Sequence, residues 1–188
     1  MAENDDAVLT AAVGYVYTGA VGTIAPTPAE LSAFDVTTPG ASWTSVGHTS
    51  RGTLPEFGFE GGDPEMKGTW QKKKLREILT DDPVDYLTVV LHQFDEDALS
   101  LYYGPNASDT VGVFGVSSDW TPNEVAGLVV IEDGDLRLGF HFSKASVKRD
   151  DAIELPIDDL AALPVRFTFL DHDGDDLLFS WISADLFV

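Results

Sequence analysis

Residues 135–142, DLRLGFHF, place Leu136, Leu138, Phe140 and Phe142 on one side of an extended chain and Arg137, Gly139 and His141 on the other. Only a strand separates such a set onto two faces, because its side chains alternate with a period of two. Just upstream, GLVVIEDGD is a β-branched run ending at Asp133-Gly134, a strong hairpin signal. VDYLTVVLHQF, residues 84–94, is almost continuously apolar, as in a strand covered on both faces, and AVGYVYTG, residues 12–19, alternates Val13, Tyr15 and Tyr17 with smaller residues. Such a series of strands predicts a mainly β, antiparallel protein. At 188 residues, with 44% hydrophobic and 23% charged side chains, the chain is expected to form one domain over 1–188 with a substantial core.

One helix is expected beside the sheet. In FDEDALSLYYGP, residues 94–105, Asp95 can cap the amino end, Glu96 and Asp97 suit the positive pole of the helix dipole, Gly104 can end it, and Pro105 blocks continuation. DDLAAL, 158–163, is a weaker helix candidate between two prolines, and APTP, 25–28, reads as a turn or strap. Residues 47–69, rich in glycine but carrying Leu54, Phe57 and Phe59, read as a long, partly extended loop. Its aromatic residues either mark a contact surface or fold back onto the core.

DHDGDD, 171–176, invites comparison with a calcium loop. Counted from Asp171, ligand positions 1, 3 and 5 are filled by Asp171, Asp173 and Asp175, but the sixth position is Asp176 where glycine is needed and the twelfth is Ile182 where a bidentate Glu is needed. A turn explains the segment better. VRFTFL and LLFSWI on either side read as the two strands of a hairpin, Phe169 opposite Leu177, with Gly174 in a left-handed conformation.

No cysteine is present, so disulfides and thiolate chemistry are excluded. His48, His92, His141 and His172 show no metal-ligand spacing, and no nucleophile elbow, Walker loop or dinucleotide fingerprint occurs. No catalytic residue, cofactor site or metal site is assigned, and an enzyme is not expected. The start, MAENDDAVLT, is an acidic segment over 1–10 without the pattern of a signal peptide, and no apolar run is long enough to span a bilayer, so synthesis in a cytoplasm without a membrane partner is expected. Thirty-two acidic against eleven basic residues give a net charge of −21. That surface repels phosphate, which disfavours a nucleic-acid reader; by composition it reads first as a solvated, solubility-keeping or salt-adapted surface, and it would also suit a protein that DNA must pass without adhering. Four of the eleven basic residues, Lys72, Lys73, Lys74 and Arg76, sit in KKKLR, which either docks on an acidic surface of another copy or forms a solvated face beside Leu75, Ile78 and Leu79.

The ordered segments AVGYVYTGAVGTIAPTPAEL, WTSVGHTSRGTLPEFGFEGGD, KGTWQKKKLRE and VDYLTVVLHQFDEDALSLYYG resemble the major tail tube proteins of long-tailed, siphovirus-type bacteriophages, especially those of actinobacteria. The resemblance covers the first hundred residues in detail. It implies a β-sandwich or partial barrel with a flanking helix, matched by DEDALSLYYG, and an extended inter-subunit loop, matched by 47–69. It further implies hexameric rings stacked into a hollow tube in the virion tail, with an acidic lumen through which genomic DNA passes without specific binding. Tape-measure, tail terminator and baseplate or initiator proteins are the implied partners. Leu54, Phe57, Phe59, Lys72, Lys73, Lys74 and Arg76 are the candidate ring-interface residues. A different class, an acidic β-sandwich module of a virion or cell surface binding carbohydrate or calcium, is the alternative.

Overall fold

The alternation at 135–142 belongs to the longest strand of the molecule. In a computed structural model that describes residues 3–4, 7–119, 121–174 and 177–187, the elements are β1 (Val13–Gly19), α1 (Pro28–Ser32), β2 (Thr44–Ser45), β3 (Glu56–Glu60), β4 (Pro64–Lys67), β5 (Arg76–Leu79), β6 (Val84–Leu91), α2 (Glu96–Tyr103), β7 (Asn123–Asp133), β8 (Leu136–Arg149), β9 (Leu163–Phe169) and β10 (Ser180–Ile182). Every pairing between these strands is antiparallel. The main sheet runs β2-β1-β7-β8-β9-β6-β3, with β10 also on β8, while β4 and β5 form a separate two-stranded sheet. The fold is therefore mainly β, as the strand pattern predicts.

The sheet curls into a partial barrel. Residues 44–50 cross between its two ends: the Val46 amide donates to the Val16 carbonyl at 3.0 Å, and on the other side Ser50 donates to Val90 at 2.8 Å and His92 to His48 at 2.9 Å. The concave side is packed with Leu87, Val89, Leu91, Val129, Phe140, Phe142, Val165, Phe167 and Phe169, closed over by Ala98, Leu101 and Tyr102 of α2. Phe140 is the hub of that core, with ring centroids of Phe57, Trp181, Phe179 and Phe169 at 4.6, 4.7, 5.3 and 5.5 Å.

β7 and β8 form the predicted hairpin, with Gly134 and Asp135 as its two loop residues. Gly134 has φ +62° and no other residue of the loop has positive φ, as a type II′ turn requires. A bulge then sets the phase of β8. Val125 pairs with Ala145 but Gly127 with Phe142, so Ser143 and Lys144 stand together against Ala126. The extra residue keeps Ala145 and Val147 on the same concave face as Phe140 and Phe142.

The second face of this hairpin is buried too. Tyr17, Leu31, Trp43, Ala126, Leu128, Val130 and Ile182 pack there under α1. The approach is close: a Cβ on Gly139 would lie 2.9 Å from Leu31 Cδ2. α1 occupies the stretch that reads as a strap around APTP, and its signal is local. The Thr27 hydroxyl caps Glu30 N at 3.3 Å, the Glu30 carboxylate accepts from Thr27 N at 2.8 Å, and Pro28 opens the helix. Arg137 Nη1 completes the other end, donating to the carbonyls of Leu31 and Phe34 at 3.2 and 2.6 Å.

α2 has the expected caps. Asp95 accepts from Ala98 N at 2.9 Å, and Gly104 ends the helix at φ +94°. The 158–163 candidate is not a helix: Ala162 is held in a bridge to Glu154, and Leu163 opens β9, since the residue before Pro164 is pushed toward extended backbone. The expected hairpin of β9 with β10 is also corrected. β9 pairs with the carboxyl half of β8, Ala145 opposite Phe169, and β10 with its middle, Phe140 opposite Trp181. Both therefore lie end to end along one edge of a 14-residue strand, with Asp171 to Gly174 in the connection between them. Gly174 does take φ +94°, while Asp175 and Asp176 lie outside the described residues.

Candidate assembly surfaces

β3 ends the main sheet, so one of its edges has no strand beside it. Phe57 turns its ring inward, 4.6 Å from Phe140 and 5.1 Å from Trp181, yet keeps 38% of its surface exposed. Phe59, two residues further on the same face, passes beyond the core and is 70% exposed, and Leu54 is also exposed. Thus the apolar residues of 47–69 divide between the core and the surface.

After Glu60 the chain leaves the sheet through Gly61 and Gly62, at φ +78° and +71°, a left-handed pair that suits glycine. Arg166 fixes this departure point. Its Nη1 donates to Glu60 and its Nε to Asp150, each at 2.6 Å, and its guanidinium stacks 4.0 Å from the Tyr86 ring centre. The bond to Glu60, followed by Asp150, raises the Arg166 pKa against the opposing effect of partial burial. The chain returns at Pro83, packed against Gly62.

Between these points β4 and β5 form an exposed arm, Pro64 opposite Leu79 and Lys67 opposite Arg76. This pairing joins two features that are separate in the sequence, the end of the Gly-rich segment and the basic run. At the tip, Thr69 and Lys72 exchange backbone bonds at 2.7 and 3.1 Å, and Gly68 passes so close to Lys73 that a Cβ would meet its carbonyl oxygen at 2.3 Å. Trp70 is held at the turn with 100% of its surface exposed. From Lys67 to Arg76 there are five positive residues and no carboxylate. Lys67 pairs with Glu65, whereas Lys72, Lys73, Lys74 and Arg76 form no ion pair among the described residues.

Two further loops present apolar side chains that sequence reasoning leaves unassigned. Residues 105–119 are organised by Asn106, whose Oδ1 accepts from Ser108 and Gly115 at 2.9 and 2.8 Å, and they expose Val111 and Val113. The loop between β8 and β9, clasped by the Glu154–Ala162 bridge, exposes Leu155, Ile157 and Leu160. Two of the histidines bond within the fold. His141 is buried with Nε2 2.9 Å from the Thr23 carbonyl, and His92 Nδ1 lies 2.8 Å from that of Ala161. Among the described residues no three His, Asp or Glu side chains converge as metal ligands.

The structure thus combines an acidic β-sheet body, a basic arm and several exposed apolar loops. The sequence matches the phage tail tube protein family over residues 1–188. The chain belongs to that family. It is 74% identical over 192 residues to major tail protein Gp23 of Mycobacterium phage L5 and 73% identical over 192 residues to major tail protein Gp23 of Mycobacterium phage D29. Each alignment covers 100% of this chain and 96% of the relative. For a tail tube protein the exposed arm and loops are the surfaces to examine for contacts between copies.

Proposed function

We propose that this chain is the major tail protein of a phage, building the tube of the virion tail as hexameric rings stacked around an acidic channel through which the genome passes during ejection. The observation that carries the reading is the full-length relation to phage major tail proteins. Three structural features support it. The sheet ends in β2 and β3 with edges available to another copy, the arm extends beyond the body, and the −21 charge repels the DNA backbone. Leu54, Phe59 and the Lys72, Lys73, Lys74 and Arg76 cluster form the ring contacts, with Phe57 supporting them from the core side. The basic cluster offsets repulsion between acidic copies. Tape-measure, terminator and baseplate or initiator proteins meet the tube at its lumen and ends, and assembly takes place in the host cytoplasm.

Negative-stain electron microscopy of the purified protein over a wide concentration range tests this reading. Hollow tubes whose end-on averages show six-fold symmetry are expected. Tubes of another symmetry would overturn the hexamer, and chains that stay single at every concentration, even when seeded with tail fragments, would overturn tube formation.

A further inference from the structure

We propose that Trp70, at the arm tip of one copy, seats in an apolar groove between β1 and β3 of a second copy, with the tip lysines against the acidic body of that copy. The inference rests on the tube reading above and names the contact that joins copies. The groove is a cavity of about 210 Å³ lined by Val13, Gly14, Leu54, Phe57, Val129 and Ile131. Small-molecule sites commonly enclose about 300–1,000 Å³. This one is sized for a single side chain. It exists because β1 and β3 do not pair, and Gly14 contributes no side chain to fill the gap.

Three observations select the occupant. Trp70 is fully exposed on a hairpin whose turn is fixed by the Thr69–Lys72 bonds, so it is presented to the outside and does not touch the groove of its own chain. Tryptophan is the residue type most often found as an anchor in a desolvated interface pocket. The charges match as well. Lys72, Lys73 and Lys74 follow Trp70 at the tip, whereas the chain as a whole carries −21, with Glu132 and Asp133 next in sequence to Ile131 of the groove wall and Arg51 the one basic residue between the lining residues Thr49 and Leu54. A positive tip entering an otherwise strongly negative body is attracted and its register is fixed.

The absence of cysteine makes the contact directly testable. Gln71→Cys and Leu54→Cys chains are purified separately, mixed, assembled into tubes and treated with a short thiol crosslinker. Crosslinked dimers are expected from the mixture and from neither variant alone. Trp70→Ala, whose melting temperature should match that of the parent because the side chain is exposed, is expected to raise the concentration needed for tube growth about tenfold or more. Tubes that grow from the mixture without a crosslink, or from Trp70→Ala at the parent concentration, would overturn the contact and leave the tube reading standing. A crosslink within single chains of the Gln71→Cys, Leu54→Cys double variant at concentrations below assembly would assign the groove to the chain's own arm and also overturn it. Failure of the parent chain to assemble would instead remove the reading on which the contact rests.

Discussion

The body and the arm are built from the same antiparallel pairing and differ in what covers it. Residues 126–130 of β7 are all buried, because the curled sheet fills one face and α1 with Trp43 fills the other. Every residue of β4 and β5 is exposed. A two-stranded hairpin is marginal on its own in water, so within the chain the arm depends on its anchorage at Arg166. Burial of both faces stabilises the body, whereas the strands of the arm bury no residue of their own.

The largest expected effect falls in the body. Phe140→Ala removes the ring on which Phe57, Phe169, Phe179 and Trp181 converge and should cost about 3–5 kcal/mol by urea denaturation, against which no arm substitution should compare. A loss below about 1 kcal/mol would show that the core closes over the gap and would blur the contrast. At the junction, Arg166→Met deletes two charged hydrogen bonds from a side chain that is 20% exposed, and a loss of about 1–3 kcal/mol is expected. Amide exchange at Glu60, Gly61 and Gly62 should accelerate while that of β7 stays slow. Equal acceleration in both would mean that body and arm open as one unit.

A smaller effect separates the two regions by pH. Tyr17 is buried under α1 and donates to the Val36 carbonyl at 2.7 Å, and desolvation raises its pKa to about 12. The neutral phenol therefore stabilises the fold fully below pH ~10, the unfolded value, and this contribution is lost as pH rises through about 12. Tyr17→Phe should cost about 1 kcal/mol at pH 8 for the lost hydrogen bond and flatten part of the alkaline decline. Tyr102, raised in the same direction by burial, keeps the rest. An unchanged alkaline profile would assign the decline elsewhere. The smallest effect on stability is expected from Lys72→Gln, Lys73→Gln and Lys74→Gln combined, within about 0.5 kcal/mol for the isolated chain. Tube growth, followed by light scattering, should nevertheless fall sharply, and undiminished growth would show that the basic tip is not used.

Much of the body was legible because its signals are local. The capped helix 96–103, the strands around Val13, Val84 and Leu136 and the turn at Gly134 each follow from neighbouring residues. The Thr27–Glu30 capping box was equally local and was obscured by the prolines on either side of Thr27. Among the candidate contact residues, Leu54, Phe59 and the lysines are exposed while the Phe57 ring packs against Phe140. Trp70 lies beside the same lysines, but a lone tryptophan gives no indication in the sequence of whether it is buried.

The sequence by itself determined the strand periodicity, the helix caps, the turn glycines and the charge, since each arises from interactions within a few residues. Tertiary structure alone decided that β10 joins β8 instead of β9, that β4 pairs with β5 as an arm, and that the Arg137 face of β8 is covered by α1. Those outcomes are choices among partners distant in the chain. Backbone hydrogen bonds are alike along any strand, so alternation reveals that a strand forms but not which neighbour it takes. The choice falls to the arrangement that buries both faces of β7 and β8 while leaving the basic arm in solvent.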